Sequence, residues 1–147
     1  MPSICLTFGT KVSATTVLQA LTRLDGLAAW WTRETAGDPR PDGVIQFTFG
    51  SHGGFAMQVL KSDAAGVEWR CIEGPEEWLG TRIKFDLLQQ VSHNQLMFRH
   101  SGWSDESPFF YHCSTKWATF LLSLRDYLEL GQGKPFPDDV KIEATGM

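Results

Sequence analysis

One stretch late in the chain, PFFYHCSTKWATFLLSLRDYLEL over Pro108–Leu130, constrains the fold more than any other. Phe110, Cys113, Trp117, Phe120, Leu121, Leu124, Tyr127 and Leu128 recur at spacings of three and four, which is the apolar stripe of an amphipathic helix. Ser107 stands where a hydroxyl can accept from the first free amides. Pro108 suits the first helical position, and Gly131 suits a left-handed stop. Such a helix would be about 34 Å long. Its stripe has to be covered by something else in the chain.

The cover comes from upstream. Residues 44–49, 55–61, 67–73, 81–90 and 95–101 read as five strands, separated by turn residues such as Gly53-Gly54, Gly66, Gly74-Pro75 and Asn94. Connections this short permit only antiparallel neighbours. Alternation puts Ile45, Phe47, Phe49, Phe55, Met57, Val59, Val67, Trp69, Cys71, Ile83, Phe85, Leu87, Leu96, Phe98 and His100 on one face. Gln46, Thr48, Gln58, Glu68, Arg70, Arg82, Lys84, Asp86 and Arg99 fall on the other. An antiparallel sheet with one greasy and one wet face is covered on one side, and the long helix is the natural cover.

Ahead of these strands, residues 4–10 alternate and predict a first strand. Ser13 then caps a short helix carrying Val17, Leu18, Leu21 and Leu24; Asp25-Gly26 ends it, and residues 27–31 form a second short helix. The segment ETAGDPRPDG (34–43) reads as a connecting loop, and the polar, twice-prolined stretch after Gly131 as a tail only partly ordered. The expected architecture is one α+β domain over residues 1–137 with a polar tail at 138–147. A curved antiparallel sheet wraps the long C-terminal helix, and two short helices follow the first strand.

Composition narrows the function classes. A 147-residue chain that is 42% hydrophobic and 12% aromatic has ample core for one domain. Its net charge of −4, without a basic run, argues against nucleic acid or an anionic membrane surface as partner. Cys5, Cys71 and Cys113 form no C-x-x-C pair, and neither a signal peptide nor a spanning apolar run is present. The expected location is the cytoplasm. The inward face is rich in rings, and flat rings on a curved sheet leave gaps more readily than Leu or Val, so the pattern predicts a hydrophobic cavity between sheet and helix. A solid aromatic core is the competing reading.

The motifs DGLAAWWT (25–32), VEWRCIEGPEEWLGTRIKFDL (67–87), MFRHSGW (97–103) and KWATFLLSLRDYLELGQGKP (116–135) resemble the START-like SRPBCC superfamily. More specifically, they resemble its bacterial domains similar to the Hsp90 ATPase activator (Aha-type). The resemblance implies the helix-grip fold around a hydrophobic cavity, and in many relatives no established reaction. Eukaryotic co-chaperones of that name carry an additional N-terminal domain, for which this chain is expected to have no room, and this weighs against chaperone stimulation without removing it as an alternative.

The leading functional reading is binding of a small hydrophobic molecule by Phe47, Met57, Trp69, Cys71, Phe85, Phe98, His100, Phe110, Trp117 and Leu121, with Tyr111 as a further polar anchor. A cyclase- or hydrolase-like enzyme using His100 as acid or base and a module that modulates a chaperone ATPase are the alternatives; a homodimer is compatible with each. No catalytic residue beyond the His100 candidate is singled out, and no cofactor or metal is expected. His112 and Cys113 point about 100° apart on a helix and cannot share one ion comfortably. The GPEEW loop (74–78) reads as a solvated turn whose Trp78 needs an apolar partner, and GSHGG (50–54) as a hairpin rather than a phosphate loop.

Overall fold

The computed structural model of the protein describes residues 1–143. Strand β1 (Ile4–Thr10) forms one edge of a sheet, and helices α1 (Ala14–Thr22) and α2 (Leu24–Trp30) carry the chain across to the other edge. From there β2 (Glu34–Gly37), β3 (Val44–Thr48), β4 (Gly54–Asp63), β5 (Gly66–Glu73), β6 (Arg82–Gln89) and β7 (Asn94–Ser101) meander back until β7 pairs with β1. The sheet has seven strands in the order β1-β7-β6-β5-β4-β3-β2, each pair antiparallel. This is the α+β helix-grip arrangement, closed by helix α3 (Pro108–Leu130).

The ends of α3 fall where capping chemistry puts them. The Ser107 hydroxyl accepts from the Phe110 amide, Pro108 opens the helix, and Gly131 stops it with φ of 79°. The stripe is buried at Phe110, Cys113, Trp117, Phe120, Leu121 and Leu124. Strand parity holds along the sheet: Ile45, Phe47, Met57, Val59, Val67, Trp69, Cys71, Ile83, Phe85, Leu87, Leu96, Phe98 and His100 are all buried. On β4 the neighbours Ala56 and Met57 are both buried, because a register shift falls between them.

Three local expectations are corrected. The break between the short helices lies at Arg23, whose backbone is extended, and Asp25-Gly26 sits inside α2. Asp25 is favoured there by the free amides of the first turn. Gly26 is a packing residue: a Cβ on it would lie 2.9 Å from Ala20 Cα, so it allows α1 and α2 to touch. Residues 34–43 are not all loop, since β2 occupies the first four. Its bonds come from β3, through pairs such as Ala36 with Gln46, and not from any alternation of its own. Over residues 134–141 the stretch after Gly131 packs back onto the domain, and residues 144–147 of the expected tail lie outside the described residues. The Phe136 amide donates to Trp31 O at 2.8 Å, the Lys134 amide to Ser123 Oγ at 2.7 Å, and Asp139 is buried.

The interior between sheet and helix is filled by Trp31. Its ring lies 4.3 Å from Phe47, 4.9 Å from Trp117 and 6.2 Å from Trp69, parallel to the last within 3°. Trp117 continues the contact to Phe98 at 4.6 Å, and Phe98 to Phe85 at 5.1 Å. Beneath, Trp30 donates to Ala20 O at 2.9 Å while its own carbonyl accepts from Ser123, so the buried polar groups of Trp30 are paired. Replacing Trp31 by Ala is expected to cost ~3–5 kcal/mol in denaturant unfolding; a loss under ~1 kcal/mol would show that the ring is not the interior packing element.

Candidate functional site

Space is left at one end of the sheet–helix seam, not along its middle. A cleft of about 720 Å³ opens there, lined by Trp31, Phe49, Phe55, Trp78, Trp117, Phe120 and Phe136, with Gly53, Gly54, Gly74 and Pro75 at its margin. The sheet contributes Phe55 from β4. The short 3-10 turn Glu76–Trp78 delivers Trp78, which is buried and stacked on Phe55 at 4.1 Å and 7°. The expected solvated GPEEW turn therefore carries the apolar floor of the cleft on its last residue. Its Glu77 stays outside, accepting from the Ser107 hydroxyl. From α3 come Phe109, His112, Cys113, Lys116, Trp117 and Phe120.

The post-helical segment builds the remaining wall. Phe136 packs on Phe49 at 5.4 Å and edge-on to His52 at 6.0 Å. Asp139 accepts hydrogen bonds from Lys116 and, at 2.6 Å, from Lys141. Burial alone would raise the Asp139 carboxyl, but hydrogen bonds from the two ammonium groups outweigh it and hold the group below the ordinary carboxylate range. His112 lies beside this wall, stacked on Phe109, with Glu143 on its Nδ1.

His100 sits apart from the cleft and fully buried. Trp117 Nε1 donates to its Nδ1 at 3.1 Å, which leaves the proton on Nε2. Nε2 then donates to Thr81 Oγ1 at 2.9 Å, and Thr81 passes the chain to Trp78 O at 2.6 Å. Both ring nitrogens are thus committed. Burial pushes the imidazole down to about 3, so it is neutral at physiological pH. Burial also pushes the Cys71 and Cys113 thiols up to about 11 and about 12, which leaves neither as a thiolate nucleophile.

Of the residues singled out from sequence, Trp117 lines the cleft. Phe47, Met57, Trp69, Cys71, Phe85, Phe98, His100, Phe110 and Leu121 lie in the packed core around it, and Tyr111 is largely exposed. Among the described residues no group of His, Cys, Asp and Glu side chains is placed to hold a metal, and no helix is long and apolar enough to cross a membrane.

A scan against protein-family models and a search of curated proteins found no match. Solved structures do match. The solution structure of the Aha1 dimer from Colwellia psychrerythraea is 40% identical, covers 90% of this chain and 100% of its own, and superposes with a TM-score of 0.83. The chain belongs to the Aha1-type SRPBCC family. CalU16 from Micromonospora echinospora shares the fold at 18% identity and a TM-score of 0.78, over 96% of this chain and 74% of that one. So does a Mesorhizobium loti protein at 15% and 0.76, over 88% and 98%.

For this Aha1-type domain, sequence reasoning missed Trp31, Phe109 and Lys116 as site residues and, in the stretch after Gly131, Phe136, Asp139 and Lys141. The available signal was a large apolar ring held between two prolines in an otherwise polar stretch, since such a ring needs a partner. The buried His100 generates a pH prediction. Its proton is bound in the unfolded chain below pH ~6.5 but in the folded one only near 3, so stability is complete above ~6.5 and falls as pH drops towards 3. Between about pH 7 and about pH 5 this group should remove about 2 kcal/mol from the unfolding free energy. A His100→Gln protein should lack that component; an identical pH slope in both would contradict the assignment.

Proposed function

We propose that the domain binds a small hydrophobic molecule in the cleft between the β3–β4 hairpin, α3 and the post-helical segment. The observation that carries this reading is the cleft itself. Its volume of about 720 Å³ falls in the range of about 300–1,000 Å³ typical of ligand sites, and its walls are mainly aromatic. Rings offer a ligand large contact area at little cost in side-chain freedom. The half-buried Phe49, Phe55 and Phe136 leave apolar surface that a guest would remove from water.

The acid–base alternative draws no support from His100, which is neutral, doubly hydrogen-bonded and outside the cleft. A second reading, modulation of a chaperone ATPase, is favoured by the 40% identity to a protein called Aha1; it would act through the outer surface and needs a co-purifying partner. The same relative is described as a dimer, which supports a homodimer here.

Titration with apolar aromatic and lipid probes tests the primary reading, because Trp31, Trp78 and Trp117 sit in the cleft wall and report through their fluorescence. Phe120→Ala is expected to weaken binding about tenfold through lost apolar contact, while Phe98→Leu, in the core, should change it less than about twofold. Equal losses in both variants, or saturable binding of no probe, would overturn it.

A further inference from the structure

The polar groups of the cleft are collected at one place. Lys116 on α3 and Lys141 beyond it both reach the single Asp139 carboxylate. Lys116 gives a second proton to Val140 O at 2.7 Å, and Lys141 gives one to Pro137 O at 3.0 Å. An ammonium has three donors, so each lysine retains one uncommitted proton. Each nitrogen also sits over a cleft ring, Lys116 at 4.9 Å from Phe120 and Lys141 at 5.1 Å from Phe136. Two cations therefore share one anion at the boundary of an apolar cleft. The other titratable groups lining it are His52, His112 and the Cys113 thiol, and Glu143 is engaged by His112. The Trp78 indole N–H, buried in the floor, has no hydrogen-bond partner among the described residues.

We infer that the cleft selects an amphipathic organic anion, with an apolar ring-bearing body against Phe49, Phe55, Phe120 and Phe136 and a carboxylate at Lys116 and Lys141. The inference rests on the ligand-binding reading above and specifies its chemical class. Asp139 occupies the position that a ligand carboxylate would contest. It is buried while both lysines remain partly accessible, so the post-helical segment acts as an internal competitor that a carboxylate of the right reach displaces or joins. A charge-assisted hydrogen bond in a ring-lined setting is stronger than its counterpart in water. A neutral ligand gains only the apolar part of the contact.

Calorimetric titration of the full chain with naphthoate, its methyl ester and naphthylmethylamine separates the contributions. Naphthoate is expected to bind about tenfold more tightly than the ester, with the amine weakest. Asp139→Asn, which withdraws the internal carboxylate, should raise naphthoate affinity several-fold. Lys141→Met, at a partly exposed position, should narrow the acid-over-ester ratio towards one. Equal affinity for acid and ester, or an Asp139→Asn protein with unchanged naphthoate affinity, overturns this inference while the binding reading stands. Binding of none of the three probes overturns both.

Discussion

The structure depends on one packing contact, the insertion of the Trp31 ring between the sheet and α3. A seven-stranded sheet and a single helix meet along a seam that a layer of aliphatic side chains would leave uneven. Trp31, delivered by the end of α2, lies parallel to Trp69 and against Phe47 and Trp117, so sheet, short helices and long helix share one ring. Interiors pack to near crystal density, and here density is reached with large planar groups, some of whose polar atoms are paired inside the core, as in the Trp117–His100–Thr81 chain.

Filling the middle of the seam moves the open space to its end. There the hairpin of β3 and β4, the Trp78 turn and the post-helical segment diverge, and rings line the gap without closing it. The ion pairs of Asp139 with Lys116 and Lys141 tie that segment to α3. Local chemistry at this end therefore shapes the site: the cleft wall is held by electrostatics, and the core beside it by ring contact.

Architecture was largely legible in the sequence. The period and caps of α3 and the alternation of β3 to β7 are local signals, and each strand faces as its parity requires. β2 was not legible, because a short edge strand is defined by its neighbour's hydrogen bonds. Gly26 was misread for a related reason, since a glycine chosen for close helix contact looks the same as one that ends a helix. The site was legible only in part. Parity reports which side chains face inward, and Trp69, Phe85, Phe98 and His100 do so, but it cannot report that Trp31 from a distant helix occupies the space in front of them. Nor does it locate Phe136 and Asp139, whose burial depends on a segment folding back over long sequence separation.

The protein's six tryptophans divide evenly: Trp31, Trp78 and Trp117 line the cleft, whereas Trp30, Trp69 and Trp103 lie outside it. The indole N–H resonances of the free protein, followed by NMR as an apolar aromatic probe is added, test the central claim most directly. A packed seam with an open end predicts that the first three shift and the last three stay. Shifts at Trp69 as large as those at Trp78 would show that the guest enters the middle of the seam, and would contradict the account.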